Sequence, residues 1–280
     1  MKRLAVLGHP VAHSRSPAMQ NAALQKLGLA EEWRYEAIDV APEDFEARVR
    51  AMPAEGFVGA NVTIPHKQAA LRLADEASPT ARAIGAANTL SFEAGKIHAE
   101  NTDAGGLLAA IGDLPASPPG ARALVLGAGG AARAAIWALS KGGAVAHIDP
   151  EPRAVDVWNR TGERATKLYD ELGEYVELNG APVDKPTQED YKIVVNTTSV
   201  GLGGEDPFEH LPLDPRKFPG QVVVDMAYGD RPTKLIEVAE DNGATVVDGI
   251  EILVRQGALS LEIWSGCPAP LDVMREAANG

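Results

Sequence analysis

Lys67 stands where a lysine is least expected. It closes the stretch Gly59-Ala-Asn61-Val-Thr63-Ile-Pro65-His-Lys67, in which an apolar strand is stopped by Pro65 and a helix opens at Lys67. A helix N-terminus carries partial positive charge and favours anions, so an ammonium there is under mild electrostatic strain. An amine kept in such a place suits anion binding or proton transfer; read alone, a solvated surface lysine is the default. Asn61 and Thr63 share one face of the preceding strand, because strand side chains alternate.

A second cluster is Gly8-His-Pro-Val-Ala-His-Ser14-Arg-Ser16-Pro17. Two hydroxyls at the start of a helix offer a seat for a carboxylate or phosphate. The plainer reading makes Ser16 the N-cap, with Pro17 at the first helical position and Gly28 past the end. His9 and His13 flank Pro10 in a loop and lack the geometry of a zinc pair, so no metal site is expected. Gly85-Ala-Ala-Asn88-Thr89 and Asn101-Thr-Asp103 are, by themselves, ordinary capping residues. Asp225-Met226-Ala-Tyr228 follows a buried strand, the position where ligands collect in open α/β sheets. Gln256 shares a helical stripe with Ile252, Leu259 and Ile263, and a buried amide there must find a partner.

A third signal is Leu124-Val-Leu-Gly127-Ala128-Gly129-Gly130-Ala131-Ala, a buried strand breaking into glycines before a helix. Such a turn lets backbone N–H groups approach a pyrophosphate at the helix end. A plain βα turn is the alternative.

Around these residues, the first hundred positions alternate strand and helix. Strands are expected at Leu4–Leu7, Trp33–Val40 and Phe57–Thr63, helices from Pro42 to Met52 and Lys67 to Glu76, and a hairpin turning at Ala94-Gly95. A second α/β series carries strands near Leu124, Val157, Val194, Val223 and Val246, and a last helix spans Glu251–Ile263. The chain is therefore two α/β domains. Its net charge of −13 argues against nucleic acid and anionic membrane surfaces as partners. A single cysteine, Cys267, excludes an internal disulfide and fits a reducing compartment. No stretch has the length of a membrane span or a signal-peptide core, so a cytoplasmic protein is expected.

In order along the chain, these motifs, with Asn159-Arg-Thr161, Asn196-Thr-Thr-Ser199 and Gln256-Gly257, resemble the shikimate dehydrogenase family from Gly8 to Gly266. The resemblance implies a substrate domain, residues 1–102 completed by 249–280, and a Rossmann-like NADP-binding domain, residues 103–248, with the active site in the cleft between them. It implies reversible NADPH-dependent reduction of 3-dehydroshikimate to shikimate, on the way to chorismate and the aromatic amino acids. Lys67 and Asp103 become the acid–base pair. Ser14, Ser16 and Tyr228 would hold the substrate carboxylate, and Asn61, Thr63, Asn88, Asp103 and Gln256 its hydroxyls. Gly127, Ala128, Gly129, Gly130, Ala131, Asn159, Arg160, Thr161, Arg164, Met226 and Gly249 would line the cofactor. Gln20 departs from the family, which often has His there. A quinate or dual quinate/shikimate dehydrogenase shares the same pattern, and a non-catalytic NADP-binding regulator is the reading from another class. Monomer and homodimer are both compatible with the sequence.

Two segments compete to choose the cofactor. In a dinucleotide fold, an acid about 20 residues past the glycines selects NAD, whereas arginine there receives the 2′-phosphate of NADP. Ala144-Val-Ala-His-Ile148 ends at Asp149, near that distance. Val155-Asp-Val-Trp158 ends farther on, at Asn159-Arg160-Thr161. The motif match outweighs the spacing, which makes residues 144–153 an inserted hairpin or loop and leaves Arg160 and Arg164 to clamp the phosphate.

Overall fold

The structure, a computed structural model, describes residues 1–114, 121–146, 154–229 and 231–280, with the backbone alone for 141–146. It divides into two compact units, residues 1–106 with 253–280 and residues 107–252. The divisions fall inside helices, at Gly106/Leu107 and Ile252/Leu253, a little past those expected from the sequence.

The first unit is a six-stranded mixed sheet ordered β2-β1-β3-β5-β6-β4. Its strands are β1 (Lys2–Gly8), β2 (Trp33–Asp39), β3 (Phe57–Val62), β4 (Glu76–Ala77), β5 (Thr89–Glu93) and β6 (Lys96–Glu100). β1 runs parallel to β2 and β3, while β5 is antiparallel to both β3 and β6. The β5–β6 hairpin turns at Ala94 and Gly95, both at positive φ as a tight two-residue turn demands. Leu4 to Leu7 are buried throughout, which explains the unbroken apolar run of β1 between two parallel neighbours.

Five helices belong to this part of the chain: α1 (Ser16–Lys26), α2 (Phe45–Ala51), α3 (Lys67–Leu73), α4 (Pro79–Ile84) and α5 (Asp103–Gly112). Phe45, Val49, Met52, Leu73, Leu90 and Ile97 close the core beside the sheet. Two expectations change here. The helix opened by Lys67 ends at Leu73, and Glu76–Ala77 pairs with β6 instead. Ser16 is the first helical residue of α1 rather than its cap; the N-cap position is Arg15, and the Ser14 hydroxyl accepts the Ser16 N–H at 3.3 Å.

The second unit is a five-stranded, wholly parallel sheet ordered β11-β10-β9-β7-β8. Its strands are β7 (Arg122–Leu126), β8 (Ala154–Trp158), β9 (Ile193–Asn196), β10 (Val222–Asp225) and β11 (Thr245–Val247). Between them come α6 (Gly130–Ala146), α7 (Gly162–Gly173), α8 (Pro207–His210) and α9 (Lys234–Asp241). Numbered from β7, the order is 2-1-3-4-5, a doubly wound sheet with its switch point between β7 and β9. Residues 181–183 follow the outer edge of β8 through backbone bonds to Val157. Ala144–Ala146, expected within a hairpin or loop, continue α6; the rest of that segment, with Asp149, lies outside the described residues.

The chain ends with α10 (Gly249–Ser265) and α11 (Leu271–Asn279), the latter packed on α1. α4 and α11 are additions to the expected elements: Ser78, Pro79 and Gly85 mark the ends of α4, and Met274 and Ala278 form the buried face of α11. The stripe drawn on α10 also rotates: Leu259 and Ile263 are exposed, whereas Gln256, Ser260 and Leu261 are buried.

Candidate active site

Lys67 opens α3 and Asp103 opens α5. Lys67 Nζ donates to Asp103 Oδ2 at 2.7 Å, with the two side chains 11% and 6% exposed. The carboxylate sits at a helix start, where the dipole favours it, and it compensates the lysine that the dipole disfavours. Asp103 Oδ1 accepts from Asn88 Nδ2 at 2.9 Å. Both carboxyl oxygens therefore face donors.

The Asn88 amide has one possible orientation. Its Oδ1 takes the backbone N–H of Thr102 at 2.7 Å, a group that can only donate. Its NH2 must then face Asp103, with Gln256 Oε1 at 3.1 Å and Thr102 Oγ1 at 2.9 Å also in reach. Gln256 is fixed likewise, because its Nε2 donates to the Leu253 carbonyl at 2.8 Å. Lys67, Asn88, Asp103 and Gln256 are thus one constellation.

Beneath it lies a polar layer. Asn61 is buried, with Oδ1 accepting from Tyr35 Oη at 2.8 Å and Nδ2 donating to Ser260 Oγ at 2.9 Å. Ser260 Oγ also meets Thr89 Oγ1 at 2.8 Å and Thr102 Oγ1 at 3.1 Å. One helical turn on, Trp264 donates to the Leu90 carbonyl at 3.0 Å. Its ring occupies the space over Gly59, where a Cβ would lie 2.2 Å from the indole nitrogen. Sequence reasoning missed Tyr35, Ser260 and Trp264. The available signal was the spacing of Gln256, Ser260 and Trp264, four residues apart on one face of a helix.

The loop before α1 is held by Asp39, whose Oδ2 accepts the Val11 N–H at 3.2 Å and whose Oδ1 lies 2.6 Å from His9 Nδ1. That bond to His9 draws the Asp39 carboxyl below its ordinary range. His66, next to Lys67, stacks on Phe45 at 4.3 Å and donates from Nε2 to the Val40 carbonyl at 2.7 Å. Burial lowers its pKa, so it is a neutral structural imidazole. The hydroxyls of Ser16 and Thr63 are engaged by no described residue. Tyr228 follows β10 in the second unit.

In that unit, Gly127 leaves β7 with φ of +119°, and a Cβ there would meet Thr197 Oγ1 at 2.5 Å. Gly129 opens onto free space. The turn therefore exposes backbone to a ligand at the start of α6, as a pyrophosphate requires. β8 pairs directly with β7 and ends at Trp158, so Asn159, Arg160 and Thr161 occupy the end of the second strand. Asn159 Nδ2 donates to the Thr161 carbonyl at 2.9 Å. Arg160 and Arg164 are exposed and have no ion-pair partner among the described residues. Met226 follows β10, and Gly249 opens α10. Between β9 and β10, Asp225 Oδ1 accepts from Asn196 Nδ2 at 2.8 Å and the Ala227 N–H at 3.0 Å, and its Oδ2 from Thr233 at 2.6 Å. Burial nonetheless pushes the Asp225 carboxyl up to about 6.

A protein of Methanopyrus kandleri, shikimate dehydrogenase (NADP(+)), is 41% identical over 97% of this chain and 93% of its own length. The chain belongs to the shikimate dehydrogenase family. The family's substrate-binding-domain model matches residues 6–90 and its C-terminal-domain model residues 249–278. The shikimate dehydrogenase of Aquifex aeolicus superposes with a TM-score of 0.86 at 35% identity, covering 100% of this chain and 98% of that one. That of Thermus thermophilus, solved with NADP(H) and shikimate, gives 0.83 at 40% identity, covering 99% and 98%. As in these shikimate dehydrogenases, the chain has a two-domain α/β fold. No helix among the described residues is long and apolar enough to cross a membrane.

Proposed function

We propose that the chain catalyses the reversible NADP(H)-dependent interconversion of 3-dehydroshikimate and shikimate. The observation that carries this reading is the Lys67–Asp103 contact, set among neutral amides and hydroxyls. A small carboxylate bearing several hydroxyls needs many uncharged hydrogen-bonding groups and one movable proton, and the site has that composition. NADPH, when bound, supplies the hydride. The free turn of Gly127 to Ala131, with Asn159, Arg160, Thr161, Arg164, Met226 and Gly249, suits its phosphates, ribose and nicotinamide.

In the reducing direction, the carbonyl oxygen takes a proton from Lys67 Nζ as its carbon accepts hydride; oxidation reverses both transfers. Asp103 holds the Lys67 amine in place. Thr63, Gln256 and the Asn88 N–H that otherwise faces Gln256 receive the ring hydroxyls. Ser14 and Ser16 receive the carboxylate, which an acidic protein can hold only with local donors. Asn61, enclosed by Tyr35 and Ser260, supports this face from below. The reading also places the protein in the cytoplasm.

The test is the rate of NADP reduction with shikimate, with quinate as the comparison. Turnover of shikimate that disappears in Lys67→Ala supports the reading. Faster turnover of quinate would reassign the substrate, and no turnover of either would leave a binding protein.

A further inference from the structure

Ser260 is wholly buried on α10, yet its hydroxyl touches three side chains from elsewhere in the first unit: Asn61 on β3, Thr89 on β5 and Thr102 just before α5. We infer that Ser260 is a positioning residue for the Lys67–Asp103 pair, acting through Thr89 and Thr102 on the Asn88 amide.

A hydroxyl has one hydrogen and two acceptor lone pairs. The Ser260 hydrogen goes to the Gln256 carbonyl at 3.1 Å, one turn back on α10. One lone pair receives Asn61 Nδ2, whose orientation is settled because the same nitrogen meets the Asn88 carbonyl, which can only accept, at 3.2 Å. The second receives a threonine hydroxyl, from Thr89 or Thr102. The other threonine is left to donate to Asn88 Oδ1, which lies 3.2 Å from both hydroxyls. Asn88 Oδ1 is thereby filled, by that hydroxyl and by the Thr102 N–H, and its NH2 is committed to the Asp103 side. The chain of hydrogen bonds runs from α10 to the Asp103 carboxylate in either arrangement of the two threonines.

Deleting the Ser260 oxygen leaves one threonine hydroxyl without its acceptor, to compete with the other for Asn88 Oδ1, and leaves Asn61 Nδ2 short of its nearest acceptor. The Asn88 amide keeps its orientation through the Thr102 N–H, but the hydroxyl that fills the rest of Asn88 Oδ1 is no longer held, and the amide grips Asp103 Oδ1 less firmly. This inference rests on the proposed roles of Lys67 and Asp103, so the experiment measures them together.

The test compares Ser260→Ala, Thr89→Val and Lys67→Ala in the full-length protein, by kcat, by KM for shikimate and NADP, and by the pH profile of kcat. Ser260→Ala should lower kcat about 3- to 10-fold, the rate equivalent of one net hydrogen bond. It should leave KM for NADP unchanged and displace the pH profile of kcat from that of the unaltered protein. Thr89→Val, nearly isosteric, should reproduce the same shift and reports on the chain even if Ser260→Ala folds poorly. The two changes combined should cost less than the sum of their separate effects, because they break one path. A melting temperature that falls while kcat and the pH profile stay at wild-type values in both variants would overturn the inference. If Lys67→Ala also keeps its kcat, the proposed function fails instead.

Discussion

Lys67 and Asp103 occupy the first positions of two different helices, and their side chains meet at 2.7 Å with little access to water. One helix start stabilises its residue and the other opposes it, so the pair is held by mutual need as well as by packing. Removing one charge strands the other in a poorly solvated place.

Lys67→Ala should therefore reduce turnover by about 10²- to 10⁴-fold, the usual loss for a positioned proton-transfer group. KM for shikimate should change far less, because the lysine acts on the transition state more than on binding. Asp103→Asn should follow the same pattern. Steady-state rates with saturating NADP decide the matter, and unchanged turnover in Lys67→Ala would dismiss the assignment.

Ser14→Ala tests the carboxylate seat. The Ser14 hydroxyl accepts the Ser16 N–H, which leaves its own hydrogen for a ligand. Losing a charge-assisted bond costs roughly 1.5–3 kcal/mol, equivalent to about a 10- to 150-fold rise in KM for shikimate. KM for NADP should stay near its wild-type value. The reverse pattern would place these hydroxyls at the cofactor.

Arg160→Ala tests the choice of dinucleotide. Catalytic efficiency with NADP should fall steeply while that with NAD is spared, since only NADP carries the phosphate that the guanidinium would clamp. Efficiency with NAD that equals or exceeds that with NADP in the unaltered protein would contradict it.

Asp225 gives a pH prediction. Its carboxyl is raised to about 6 in the folded protein, against 3.8 when exposed. A raised carboxyl binds its proton more tightly in the native state. Its stabilisation is therefore complete below pH 3.8 and is lost as pH rises through about 6. The shift corresponds to about 3 kcal/mol. Asp225→Asn removes the titration and keeps an amide able to meet the same neighbours. Relative to that variant, the parent protein should weaken between pH 4.5 and 7 in urea unfolding. A difference independent of pH would show that the carboxyl titrates elsewhere.

How far the sequence could be read depends on the kind of signal. β1, β7, β9 and β10 were legible because strands buried on both faces leave continuous apolar runs. Lys67 was legible through its conflict with the helix dipole, and the glycine turn through its need for bare backbone. Ser260 and Tyr35 were not. A buried hydroxyl in an apolar helix looks like any other small residue until the strands opposite it are known. The α10 stripe was misjudged for a related reason: periodicity shows that a helix has a face, and the partner decides which residues lie on it. Residues 144–146 misled because a β-branched residue among alanines suits strand and helix alike once the preceding helix can simply continue.

The first unit is assembled from both ends of the chain, whereas the second is continuous. During synthesis the six strands of the first sheet emerge well before α10, and the whole of the second unit is made in between. Until α10 arrives, Asn61, Thr89 and Thr102 have water in place of Ser260, and Gly59 lies bare without the Trp264 indole. The parallel sheet of the second unit can form on the ribosome as a contiguous domain. The polar layer beneath the Lys67–Asp103 pair is therefore completed only after the whole of the second unit has been synthesised.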